Sequence, residues 1–209
     1  MRSLFAAFWR DLIRSRHYVA ASLIAFAAGC AAGWTGYAGM DRFAEQSAAG
    51  LRQLAEWIGS SEHPRLALFL FIFFNNAIKA VLFVFLGAFL GLFPMIVLVA
   101  NGSMLGYLLQ SGAGAAGAEM GALELFARGI LPHGIVELPA LFAACAYGIR
   151  FGFLLVRSLF LAATPEGRGR AGAELAHFFR MLVPLLILVT VAMFVAAVIE
   201  STVTPALVG

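Results

Sequence analysis

The sequence predicts an all-α integral membrane protein, a polytopic bundle of about five transmembrane helices with interfacial amphipathic helices beside it. Three observations lead there. Of 209 residues, 62% are hydrophobic and 12% charged, against ~45–50% and ~25% in an ordinary soluble domain. So little polar surface cannot wrap so large an apolar core. Five apolar stretches approach or exceed the ~20 residues that a helix needs to cross a ~30 Å hydrocarbon layer. The few charges gather between these stretches.

The stretches run roughly from Tyr18 to Tyr37, Leu66 to Leu92, Pro94 to Leu109, Ile130 to Leu155 and Met181 to Ile199. The third is short, and a re-entrant segment is its alternative. A tight turn or kink is expected at Gly91-Leu92-Phe93-Pro94. Ala27-Ala28-Gly29-Cys30 is loosely like a lipoprotein cleavage box, but the apolar run continues past Cys30, so a span is read instead of a leader. The chain reads as one integral membrane domain over residues 1–209. Within it lie a cytoplasmic interfacial helix at 1–16, an outer-surface amphipathic loop at 40–65 and a motif-bearing core at 66–156.

Orientation follows from the basic residues in short loops. Arg2, Arg10, Arg14, Arg16, Arg150, Arg157, Arg168, Arg170 and Arg180 fall on one side, and Arg42, Arg52, Arg65 and Arg128 on the other. Nine against four places the amino terminus in the cytoplasm and the carboxyl terminus outside the plasma (inner) membrane. Leu4, Phe5, Phe8, Trp9, Leu12 and Ile13 recur at helical spacing opposite Arg2, Arg10 and Arg14. That suits a helix lying on an anionic leaflet. Phe43, Leu51, Leu54, Trp57 and Ile58 form a second stripe, ended by His63-Pro64.

Composition excludes several classes. A net charge of +3 carries no nucleic-acid reading, and Cys30 and Cys145 lie in apolar runs with no disulfide or zinc-ribbon spacing. There is no Walker loop, Rossmann fingerprint, Gly-x-Ser-x-Gly elbow or His-Glu-x-x-His. No catalytic residue is assigned and no cofactor is expected.

Polar side chains inside spans are costly and therefore informative. Asn75, Asn76 and Lys79 lie in the second span, Asn101 in the third, His133 and Glu137 in the fourth. Asn75 and Lys79 are four apart, as are His133 and Glu137, so each pair shares a helix face. Counted from the span ends, the asparagines and Glu137 occupy one layer in the outer half of the bilayer. Asn75, Asn101, His133 and Glu137 are expected to share one cavity with Lys79 beneath as counter-charge. These groups also suit plain interhelical glue, while His133 and Glu137 are weak metal-ligand candidates. Gly29/Gly33, Gly87/Gly91, Gly102/Gly106 and Gly148/Gly152 repeat at a spacing that lets helix backbones approach. They predict a compact bundle and a homodimer.

Phe74-Asn75-Asn76-Ala77-Ile78-Lys79-Ala80, Gly87, Gly91, Asn101-Gly102, Gly106, Leu131-Pro132-His133-Gly134-Ile135-Val136-Glu137 and Gly148 to Gly152 occur in that order. Over about Leu66 to Gly152 they resemble the stage II sporulation protein M family of polytopic membrane proteins. Phe93-Pro94 and Tyr147 depart from its pattern. The resemblance implies a non-enzymatic scaffold or assembly factor for cell-envelope proteins, since the founding member holds two peptidoglycan-degrading proteins at a septal membrane. Sporulation itself is not carried over. The alternative is a transporter or channel for a small polar solute or ion using the polar layer, and a weaker one is a metal-dependent intramembrane enzyme. The expected partners are the lipid bilayer, a second copy and envelope proteins.

Overall fold

The computed structural model describes residues 2–36, 49–50, 53–54, 56–111, 121–204 and 206, and among them all regular structure is helical. Helix α1 spans Arg2–Arg14, α2 Arg16–Trp34, α3 Pro64–Leu86, α4 Leu92–Ser111, α5 Leu131–Leu161 and α6 Pro165–Val198. A π-helical turn, Leu125–Ile130, leads into α5, and a second, Ile199–Val203, ends α6. Five helices are long and apolar enough to cross a membrane. The third is a helix of 20 residues, sufficient for a full crossing. In the second amphipathic stripe, Phe43 and Leu51 lie outside the described residues, as do Arg42 and Arg52. Trp57 and Ile58 are helical, the first exposed and the second buried.

Helix α5 is the centre. Small residues make up much of Ala140–Gly152, and nearly all of that segment is buried against α3, α6, α2 and α4. Helices α3 and α4 instead turn large apolar side chains outward, among them Phe74, Ile78, Leu82 and Ile96. That is the arrangement of a protein solvated by lipid.

Glycine sets two close helix contacts. A Cβ on Gly29 or Gly33 would fall onto the backbone of Val99 or Ser103, and one on Gly102 or Gly106 onto that of Phe26 or Cys30. Both residue series rise together, so α2 and α4 run parallel and interlock through paired small-residue stripes. A Cβ on Gly87 would meet Gly148, and one on Gly152 would meet the backbone of Gly87, Leu90 and Gly91. The turn from α3 to α4 is thereby pressed into α5, with Leu90 and Gly91 at φ 56° and 71°. All these glycine faces are filled within one chain, so they lend a homodimer no support.

One segment differs from expectation. Gly167–Gly172 reads as a loop between spans, yet it forms the first turns of α6. Thr164 caps the helix by accepting from the Gly167 N–H at 3.2 Å, Pro165 starts it and Glu166 sits in the first turn. Glycines and arginines hid that start signal. At ~1.5 Å per residue α5 and α6 are about 46 and 51 Å long, well beyond a bilayer core. Their hairpin projects at the arginine-rich end, and α1 packs against its α6 arm.

Candidate functional site

The polar layer lies toward the opposite end of the bundle. Adjacent residues on a helix point ~100° apart, which separates Asn75 from Asn76. Asn76 turns inward and its Nδ2 donates to Glu137 Oε1 at 3.1 Å, joining α3 to α5. Asn75 Nδ2 donates to Asn76 Oδ1 at 3.1 Å. Asn101 Nδ2 bonds one turn back to the Val97 carbonyl at 2.8 Å. Proline at position 139 frees the carbonyl of Ile135 in the same part of α5.

Asn76, Lys79, Asn101 and Glu137 border a cleft of about 240 Å³, closed by Leu141 and Met193 among others. A second cleft of about 150 Å³ shares Asn101, Glu137 and Leu141 with the first and adds His133. Asn76, Lys79, Asn101, His133 and Glu137 thus line two clefts that share a wall. Asn75 lines neither. It borders an apolar groove on the outer side of α3 with Trp57, Phe71 and Phe74, and touches the layer only through Asn76. The expected place of Asn75 in the cavity belongs to Asn76.

Glu200 was not singled out in the sequence. It follows the last apolar stretch by one residue, where an acidic side chain reads as the start of a solvated tail. Here the π-helical end of α6 keeps it at the layer, and single ligand atoms of His133, Glu137 and Glu200 lie within 4.8 Å of one another. The Nδ1 of His133 is buried and has no hydrogen-bond partner among the described residues. Of the other candidates, Gly87, Gly91, Gly102, Gly106, Gly148 and Gly152 sit at helix contacts away from these side chains.

A second polar cluster lies at the arginine-rich end. Asp11 of α1 is buried and accepts from Tyr147 Oη at 2.7 Å, from both terminal nitrogens of Arg150 and from His177 Nε2 at 3.0 Å. Burial works against ionisation of Asp11, but the bonds from Arg150, Tyr147 and His177 outweigh it and hold its carboxyl below the ordinary range. One side chain so ties α1 to both arms of the hairpin. A signal was available: Leu4, Phe8, Asp11 and Ser15 share one helix face. Phe8, Asp11 and Ser15 are buried, whereas Trp9 and Ile13 of the expected stripe are exposed. Beside this cluster, Arg157 and Arg170 both pair with Glu174.

Fold and site together define a multi-pass helical membrane protein with a polar layer between its helices. Residues 22–205 match stage II sporulation protein M, and the chain belongs to that family. It is 34% identical over 115 residues to the uncharacterized protein MJ0706 of Methanocaldococcus jannaschii, a match covering 55% of this chain and 47% of that one. The match therefore spans about half the length of this relative. No solved structure matches the chain.

Proposed function

We propose that the protein binds a small cation in the polar layer and passes it across the plasma membrane, with the arginine-rich end in the cytoplasm. The observation that carries this reading is the Asn76–Glu137 bond at the wall of the 240 Å³ cleft. A carboxylate at membrane depth is retained where it faces a cavity or a partner. Here it has an amide donor on one side and open space on the other. Glu137, Glu200 and the amide oxygens supply acceptors for a cation, and Lys79 lines the same cleft as Glu137, a counter-charge that an entering ion replaces.

The test is uptake by the purified protein in liposomes, with sodium, protons and zinc followed by entrapped ion-sensitive dyes. The reading expects saturable uptake of at least one ion, lost in Glu137→Gln at equal reconstitution. If none moves faster than in protein-free liposomes, transport is refuted. Scaffolding of envelope proteins, the role implied by the founding member, would then be the better reading, and a pull-down from native membranes would examine it.

A further inference from the structure

We propose that His133, Glu137 and Glu200 form a binding site for one divalent transition-metal ion of the zinc class. The proposal deepens the cation-binding reading and rests on it only in sharing Glu137 and the cleft that Glu137 lines with His133.

Each of the three side chains offers one ligand atom, and these atoms lie within 4.8 Å of one another. Bonds of ~2.0–2.2 Å to a tetrahedral ion place ligand atoms about 3.4 Å apart, so modest side-chain rotations close the set. His133 and Glu137 come from one face of α5, and Glu200 comes from the end of α6. A buried ring nitrogen ordinarily has a hydrogen-bond partner, and the Nδ1 of His133 has none among the described residues. Glu137 has the support expected of a ligand. Asn75 donates to Asn76 and Asn76 donates to Oε1 of Glu137, which orients the carboxylate as outer-sphere bonds orient metal ligands.

Two neighbouring carboxylates relieve their mutual repulsion by taking up a cation or by sharing a proton. The donor set selects the ion: imidazole with carboxylates suits zinc and its neighbours, where calcium and magnesium take oxygen alone. Cys30 and Cys145 are not in the group, which disfavours a soft monovalent ion such as copper(I). Three protein ligands leave a coordination position for water.

The full chain in lipid nanodiscs, stripped by a chelator, is titrated with zinc, cobalt(II), calcium and magnesium. One zinc or cobalt per chain is expected, with cobalt giving the visible absorption of a low-coordinate site. Glu200→Gln and His133→Gln should each weaken zinc binding by at least the ~10–100-fold that loss of an outer-sphere partner alone costs, with Glu62→Gln, at an exposed position, unchanged. Glu200 makes no side-chain hydrogen bond among the described residues, so its variant separates ligation from folding, and melting curves check that it folds. Absence of stoichiometric zinc, equal binding in the variants, or calcium and magnesium binding as tightly as zinc would each overturn the proposal. Ion uptake that depends on Glu137 without metal binding removes the metal site and leaves the transport reading. Stoichiometric zinc without uptake of any ion does the reverse.

Discussion

Asn76 and Glu137, 61 positions apart in the chain, meet through a 3.1 Å hydrogen bond that joins α3 to the central helix α5. A leucine at position 76 takes away the side-chain donor that Glu137 has among the described residues. Asn76→Leu should therefore lower thermal stability by about 0.5–1.5 kcal/mol, the net worth of one hydrogen bond where water reaches its partner. Asn75→Leu should cost less, because Asn75 reaches the layer only through Asn76. Melting of both variants in nanodiscs checks the order, and a larger loss at Asn75 would contradict it.

At the other end of the bundle, Asp11 predicts a pH dependence. Its folded-state carboxyl titrates below the ordinary value of 3.8. The stability it contributes is present above that value and lost as the pH falls through the lower folded-state one. Asp11→Asn should melt earlier at neutral pH and show a flatter decline below about pH 4. Asp11→Ala, which strands the Arg150 guanidinium, should cost about 3 kcal/mol or more. Melting temperatures between pH 3 and 7 decide this, and parallel curves for the Asp11→Asn variant and the wild-type protein would count against the assignment.

The glycine contacts predict damage within a single chain. Gly33→Leu should force α2 from α4, and Gly148→Leu should force the α3–α4 turn from α5. Overpacking typically costs ~1–3 kcal/mol, and a backbone neighbour that cannot rotate away puts these sites at the upper end. Loss of monodisperse protein on size exclusion is the expected result. Normal yield and stability in both variants would contradict the close approach.

Much of the fold was legible because lipid solvation imposes long apolar runs and leaves charges only at their ends. All five spans were foreseen, most of their ends within a few residues and the start of the fifth 16 residues late. The hairpin extension was not, since α6 continues past the bilayer through glycines and arginines that read as loop. In the polar layer, Lys79, Asn101, His133 and Glu137 stood out by their cost in hydrocarbon. Periodicity on one helix did not decide between Asn75 and Asn76, because the rotation of α3 is set by its packing on α5 and α6. Glu200 was passed over at a span end, where a carboxylate carries no evident cost. Asp11 was passed over for a similar reason, as one acid among arginines in a helix expected to lie on lipid.

The proposed orientation has its own check. With Cys30 and Cys145 replaced by alanine, a cysteine at Gly169 should react with an impermeant thiol reagent only from the cytoplasmic side, and one at Ser60 only from outside. The reverse pattern would invert the bundle and place the polar layer in the inner half of the membrane.

The central claim is that the Glu137 layer is a hydrated, cation-accepting site and not glue between helices. Thiol accessibility tests it most directly. In the cysteine-free background, Asn101→Cys should react from the outside with a small cationic methanethiosulfonate reagent, far faster than Ile96→Cys on the lipid-facing side of the same helix. Adding Glu137→Gln should slow that reaction, since the negative charge that draws the reagent in is gone. If Asn101→Cys reacts no faster than Ile96→Cys, water does not reach the layer, and the polar residues only hold the helices together.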